Sequence, residues 1–320
     1  MEPEFPPLLT AWYLSGPTAV GKSRVALELA ARLNAEILSL DSMALYRRMD
    51  IGTAKPAAAD RARVPHHLLD LVEPNVDFSL AEYLTAAHAA AAEIRARGRT
   101  PLFVGGTPLY LKSLLRGVYP GPPADWEFRK QIEDELQTVG IEALHERLQV
   151  IDPLAAAKLH PHDTRRIIRA LEVFKASGQP LSHRQTQFED SLPATKCRVF
   201  VLHRPRAELH ARINDRVTQM FAAGLVDEVR GLLRDYGALG RTAAQAVGYR
   251  EVLDYLAEST PDLPACVERV KARTRQFARR QETWFRALSE CTLVELTGDV
   301  SPAETADGIL EQGAARGLPS

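Results

Sequence analysis

Gly16-Pro17-Thr18-Ala19-Val20-Gly21-Lys22-Ser23 decides the fold of this chain. The spacing is G-x-x-x-x-G-K-[ST], the phosphate-loop (P-loop) pattern. Trp12-Tyr13-Leu14 before it reads as a strand. Ser23 to Leu33 after it reads as a helix, with Val25, Leu29 and Leu33 on one face and Ala26 and Ala30 beside them. A strand, a glycine loop and a helix make a phosphate site of the pattern. The loop turns backbone N–H groups onto one anion and the helix start adds partial positive charge. Lys22 supplies a full charge, and the Ser23 hydroxyl is placed for Mg²⁺. The motif implies an oligophosphate ligand without saying which one.

Outward from the loop, the predicted class is α/β: a P-loop parallel sheet core flanked by helices. With 320 residues the chain is long enough for one large or two small domains, and 45% apolar with 25% charged residues is ordinary globular composition. No apolar run reaches membrane-spanning length, and Met1-Glu2-Pro3-Glu4 is no signal peptide. Residues 1–10 read as a loose, Pro-rich lead-in. Cys197, Cys266 and Cys291 lie far apart and make neither zinc spacing nor a disulfide framework, so the expected setting is a reducing cytoplasm. The net charge of −1 means that any nucleic-acid site must come from local patches.

A second strand, Glu36 to Leu40, ends in Asp41-Ser42. Ligands of open α/β sheets bind at the carboxyl ends of strands, so Asp41 is expected to face the P-loop. It reads as a catalytic acid, a helix N-cap or an outer metal group. Ile51-Gly52-Thr53-Ala54-Lys55-Pro56 reads as a glycine turn, and His67 to Val72 as a third strand. Ser79 with Glu82 forms a capping box for a helix from Leu80 to Arg97, stopped by Gly98. Pro101 to Gly105 is a fourth strand, and Gly106-Thr107 opens a helix from Leu109 to Leu115. This repeats the P-loop logic, so Thr107 is placed either to hydrogen-bond the same anion or to cap its helix.

Tyr119-Pro120-Gly121-Pro122-Pro123 marks a boundary. Residues 118–196 read as an all-helical insertion, carried on a core of residues 1–117 and 197–320. Helical spacing recurs in Phe128, Ile132 and Leu136, in Ile141, Leu144 and Leu148, and in Ile167, Ile168 and Leu171. Arg165, Arg166 and Arg169 crowd a helix start, where the dipole disfavours cations, which points to a ligand or to a solvated face. The core resumes with a strand, Arg198 to Leu202. A helix follows, on which Arg212 or Arg216 could reach a phosphate, with salt bridges to Glu208 or Asp215 as the alternative. Gly248-Tyr249-Arg250 reads as a turn with a stacking ring and a cation. Val267 to Leu288 reads as a helix with Val270, Thr274, Phe277, Trp284, Phe285 and Leu288 on its apolar face. This helix carries seven Lys/Arg against two acids, a polyanion footprint. Gln281 falls within the apolar face and needs a partner: a protein carbonyl, nearby backbone or a base edge. Thr292 to Leu296 is a last strand, and Ala303 to Ala315 a last helix.

These motifs, in this order, resemble the bacterial tRNA dimethylallyltransferases over nearly the whole chain after residue 10. The resemblance rests on G-P-T-A-V-G-K-S, Asp41-Ser42, Tyr46, and M-D-I-G-T-A-K-P from Met49 to Pro56. It continues with G-G-T-x-L-Y from Gly105 to Tyr110, Arg166-x-x-Arg169-Ala170-Leu171-Glu172-Val173, Gly248-Tyr249-Arg250, Thr274-Arg275-Gln276 and Arg280-Gln281-x-x-Trp284. The chain departs from the family at Ala44, where many members carry Gln, and it lacks the zinc-finger tail of eukaryotic members.

The resemblance implies that Gly16, Pro17, Thr18, Ala19, Val20, Gly21, Lys22 and Ser23 hold the diphosphate of dimethylallyl diphosphate, with Mg²⁺ at Ser23. Asp41 is then the proton acceptor for N6 of a flipped-out adenosine beside the tRNA anticodon. Thr107 and Arg216 meet the leaving-group charge. Implied tRNA contacts are Asp41, Ser42, Met43, Ala44, Thr107, Arg129, Arg165, Arg166, Ile167, Ile168, Arg169, Gly248, Tyr249, Arg250, Arg275, Gln276, Arg279, Arg280, Gln281, Trp284 and Arg286. The helical insertion would grip the anticodon stem-loop, and a monomer with no membrane partner is expected. The competing readings are a small-metabolite P-loop kinase, a prenyltransferase of free adenine nucleotides, and an RNA-binding protein with an inactive P-loop.

Overall fold

The computed structural model describes residues 5–118, 121–184 and 191–316. Residues 1–4 of the lead-in, and Tyr119 and Pro120 of the boundary cluster, lie outside the described residues. The chain divides into two compact units. One comprises Met1–Pro6 and Arg116–Asp190, the other Pro7–Leu115 and Ser191–Ser320.

The larger unit is built on a six-stranded sheet in the order β3-β2-β4-β1-β5-β6. The strands are β1 (Trp12–Ser15), β2 (Ala35–Ser39), β3 (His66–His67), β4 (Thr100–Val104), β5 (Val199–His203) and β6 (Cys291–Glu295). Every pairing is parallel. Parallel strands are covered on both faces, which is why β1, β2 and β5 read as short apolar runs without alternation. Leu14, Leu38, Leu102, Phe103, Val199 and Phe200 are shut off from solvent. The helices of this unit are α1 (Lys22–Leu33), α2 (Ala58–Arg63), α3 (Leu80–Ala96) and α4 (Pro108–Arg116), then α9 (Arg206–Ala222), α10 (Leu225–Tyr236), α11 (Tyr249–Ala257), α12 (Leu263–Arg286) and α13 (Pro302–Ala314). The predicted capping box of α3 is present in both halves: Ser79 accepts from the Glu82 N–H, and Glu82 accepts from the Ser79 N–H.

The smaller unit is helical: α5 (Trp126–Ile151), α6 (Pro153–Lys158), α7 (Thr164–Ser177) and α8 (Leu181–Arg184). Gly140, at φ 80°, breaks α5 into two pieces. Phe128, Ile132, Leu144, Leu148, Ile167, Ile168 and Leu171 share one core, on the faces that their helical spacing predicts.

Three expectations need correction. The lead-in is anchored from residue 5 onward: Phe5 pairs with Val118, and Leu8 is buried with its N–H on the Leu114 carbonyl. The third strand is two residues long, not His67 to Val72. Leu68 and Asp70 adopt left-handed backbone (φ 61° and 55°), which ends the ladder. The Asp70 carboxylate is held by Lys55 and Arg61, and residues 71 and 72 bond to Leu45 instead. The apolar face of α12 is rotated: Cys266, Val270, Ala278, Gln281 and Phe285 are buried, whereas Trp284 is 37% exposed. Periodicity ranks Trp and Phe above Ala and Cys. α12 packs against α9 and α11, and Cys266 on its buried side donates to the Glu251 carbonyl of α11.

Candidate active site

Four loops meet the carboxyl edge of the sheet around β1. The loops after β2, β4, β1 and β5 carry Asp41, Gly106-Thr107, the P-loop and Arg204. Within the P-loop, Gly16 (φ 138°), Ala19 (φ 63°) and Gly21 (φ 118°) take positive φ. Left-handed residues interspersed with ordinary ones curl the N–H groups toward one concavity, the nest that binds anions. Gly16 has a second reason to be glycine: a Cβ there would lie 2.6 Å from the Leu202 carbonyl oxygen of β5. At Gly105 a Cβ would lie 2.1 Å from the Leu40 oxygen, so the β2 and β4 exits run together with no room for a side chain.

Lys22 is half-buried, and its Nζ donates to the carbonyls of Gly16 (2.9 Å) and Pro17 (2.8 Å). Burial pushes its pKa down to about 7; the Arg216 guanidinium adds to this and the Asp41 carboxylate opposes it. Burial likewise pulls Arg216 downward, again against Asp41. Two cations and one carboxylate therefore sit in a common field, with the cations under strain that an anion would relieve. Asp41 Oδ1 accepts the Met43 N–H at 2.8 Å, which fixes the carboxylate in a turn rather than in a helix cap. Thr107 Oγ accepts the Ser42 N–H at 3.0 Å, so it ties the β4 exit to the β2 exit. Ser23 is exposed in the first turn of α1.

Sequence alone leaves Arg212 and Arg216 as alternatives, and the structure brings both to the loop. Arg212 Nε donates to the Ala19 carbonyl at 2.8 Å. Arg204, buried, donates to the Val20 carbonyl at 3.1 Å. Sequence reasoning missed Arg204, although its place just after β5 was the available signal. Glu208 pairs with Arg204 and not with Arg212. Glu228 was also missed. Its carboxylate accepts the N–H groups of Asp50, Ile51 and Gly52 and the Tyr249 hydroxyl. No local pattern announces such a residue, because all four donors are distant in sequence.

Several residues expected to touch RNA are engaged inside the protein. Tyr249 is fully buried, with its ring against Gly52, where a Cβ would lie 2.4 Å from the ring. Gln281 is buried: it accepts the Thr18 N–H at 3.0 Å and donates to the Gly106 carbonyl at 2.5 Å. Arg275 donates to Asn214 of α9 at 2.6 Å. Ala44 is buried too, and its carbonyl accepts the Asp70 N–H. Gly248 is buried and opens α11, its N–H on Glu251, while Met43 is half-buried and Arg286 exposed. By contrast, Gln276, Arg279, Arg280, Thr283 and Trp284 line one open depression on α12, and Arg250 is exposed. In the helical unit, Arg165 and Arg166 are exposed, whereas Ile167 and Ile168 are core residues. Arg129 and Arg169 clamp the buried carboxylate of Glu172.

A family model described as IPP transferase matches residues 44–288. The chain belongs to the IPP transferase family. Among curated members, the tRNA dimethylallyltransferase of Rhodopirellula baltica is 53% identical over 286 residues, covering 87% of this chain and 85% of that protein. That of Syntrophobacter fumaroxidans is 48% identical, over 86% and 80%. The solved tRNA isopentenylpyrophosphate transferase of Bacillus halodurans is 38% identical with a TM-score of 0.68, over 96% of this chain and 98% of that one. A eukaryotic dimethylallyltransferase solved acting on tRNA is 28% identical with a TM-score of 0.72, over 89% and 73%. The reaction of the family is prenylation of tRNA at adenosine 37, and the chain is accordingly a prenyltransferase of the tRNA-modifying class. No described helix is long and apolar enough to cross a membrane.

Proposed function

We propose that this chain transfers the dimethylallyl group of dimethylallyl diphosphate to N6 of adenosine 37 in tRNA and releases diphosphate. The observation that carries the reading is the nest formed by Gly16, Ala19 and Gly21 at positive φ with Lys22 bonded across it, at the sheet edge where the loop carrying Asp41 also emerges. Residues 16–23 cradle the diphosphate; Ser23 would hold Mg²⁺, which when bound would supply charge neutralisation to the leaving group. Asp41 orients the exocyclic N6 and takes its proton. N6 attacks C1 of the allyl group, the C1–O bond breaks, and its electrons leave on diphosphate. Lys22, Arg216 and Thr107 stabilise that charge where it develops. Burial lowers the Lys22 pKa to about 7, and a bound diphosphate would favour its charged form.

On the RNA side, the exposed groups of α12 supply phosphate contacts through Arg279 and Arg280 and a stacking face through Trp284. Arg250 and Arg286 extend that footprint; the helical insertion offers its own exposed pair, Arg165 and Arg166, to RNA phosphate. The enzyme works as a cytoplasmic monomer.

The test is a transfer assay with purified protein, Mg²⁺, labelled dimethylallyl diphosphate, unmodified tRNA and excess ATP. Label on the adenosine beside the anticodon, undiminished by ATP, is the expected result. ATP consumption without prenyl transfer would replace this reading with a kinase. Transfer to free adenine nucleotides in preference to tRNA would move it to the nucleotide-prenylating branch.

A further inference from the structure

Gln281 is a buried amide with both ends occupied by active-site backbone. Its Oε1 accepts the N–H of Thr18 in the first glycine loop, and its Nε2 donates to the carbonyl of Gly106 in the second. Gly106 is itself wedged. A Cβ there would lie 2.5 Å from Gln281 Nε2 and 3.2 Å from the Gly16 carbonyl oxygen. Two loops that follow different strands are thus spanned by one side chain from a third element. That element is α12, whose adjoining flank presents Arg280 and Trp284 to solvent.

We propose that Gln281 is a positioning residue for the diphosphate cradle, and not a reader of RNA: it sets the spacing of the two glycine loops, and through it α12 joins the RNA-facing surface to the donor site. The proposal deepens the reading of the P-loop as a diphosphate site and rests on it. An amide carries a donor and an acceptor on separate atoms at the same reach, so it serves one N–H and one carbonyl at once. A carboxylate in its place would present a second acceptor to the Gly106 carbonyl. An aliphatic side chain would leave the Thr18 N–H and the Gly106 carbonyl without their partner.

The experiment compares wild type, Gln281→Leu, Gln281→Glu and Gly106→Ala. Calorimetry with inorganic diphosphate and Mg²⁺ reads the cradle, filter binding with unmodified tRNA reads the RNA surface, and steady-state kinetics separates KM for the donor from kcat. Gln281→Leu and Gln281→Glu are expected to weaken diphosphate binding tenfold or more and to raise the donor KM, with tRNA affinity within twofold of wild type. Gly106→Ala forces the Gln281 amide aside, so it should reproduce the diphosphate loss with residue 281 intact. Combining it with Gln281→Leu should add little further loss. This second route keeps the test valid if a substitution at 281 does not fold. Weakened tRNA affinity with unchanged diphosphate binding would overturn the proposal in favour of an RNA-reading glutamine. Unchanged binding of both would overturn it as well. Failure of wild type to bind diphosphate at all would overturn the cradle reading itself, and the proposal with it.

Discussion

At the scale of single residues, two groups carry sharp consequences. Asp41 uses Oδ1 to close its own turn onto the Met43 N–H. Asparagine keeps that oxygen, so Asp41→Asn removes the proton acceptor without releasing the loop. Turnover should fall by about a hundredfold or more, the usual worth of a general base. tRNA affinity measured on the same variant should stay at the wild-type level, and near-normal turnover would remove Asp41 from the chemistry. Lys22 has a pKa pushed down to about 7 by burial and by Arg216, from an ordinary 10.5. Between those values the folded chain holds fewer protons here than the unfolded chain. This group therefore lets stability rise with pH across that window, and it costs most below it. Diphosphate favours the charged form, so binding should draw in a proton above pH 7. Affinity should weaken as pH rises, by up to about tenfold per unit. Calorimetry from pH 6.5 to 8.5 in buffers of different ionisation enthalpy reads the uptake. Lys22→Arg, which stays charged, cancels the ligand's own titration, and identical pH profiles for the two proteins would reject the assignment.

At the scale of elements, the stretch from Met49 to Pro56 is held by α10 and α11. Glu228 of α10 collects three backbone N–H groups from it, and Tyr249 of α11 lies against Gly52 while donating to the same carboxylate. The loop beginning at Asp41 is thereby pinned at its far end. Tyr249→Phe removes one buried donor to a carboxylate and should cost about 1.5–3 kcal/mol of stability in urea unfolding. Because the ring is buried, tRNA affinity should not change. A loss of RNA affinity with unchanged stability would show that the ring stacks on a base after all. Gly52 reads from sequence as an ordinary surface turn; only the ring of Tyr249 explains why no larger residue stands there.

At the scale of the whole molecule, charge is segregated. The chain is net −1, yet Val267 to Leu288 carries seven Lys/Arg against two acids. Of these, Arg275 is bonded to Asn214, while Arg279 and Arg280 are exposed beside Trp284. Part of the salt dependence of tRNA binding should therefore reside in this exposed pair. Arg279→Ala with Arg280→Ala should lower the slope of log affinity against log salt by about 0.7–0.9 for each phosphate that is no longer neutralised. Arg275→Ala should weaken affinity with a smaller change of slope. Equal slopes for the double variant and wild type would place the footprint elsewhere.

The P-loop, the α/β class, the helical character of residues 126–184 and the family were legible in the sequence because each is written in adjacent residues. Eight positions set the backbone of an anion nest, and short apolar runs between breakers set parallel strands. Asp41 and Thr107 were legible for the related reason that strand ends of a parallel sheet converge. The partners of the long polar side chains were not. Whether Gln281 reads RNA or spans two loops depends on which distant segment lies beside it. So does the choice of Arg212, Arg216 or both at the phosphate loop, and the burial of Tyr249 against Gly52. Periodicity ranks faces by hydrophobicity, and on α12 it placed Trp284 inward. In the fold Trp284 is exposed, and Ala278 and Cys266 are buried instead. Local chemistry determined which ligand class the sequence points to, and tertiary packing decided which side chains are left free for it, because a buried polar group must be satisfied by whatever the fold brings near.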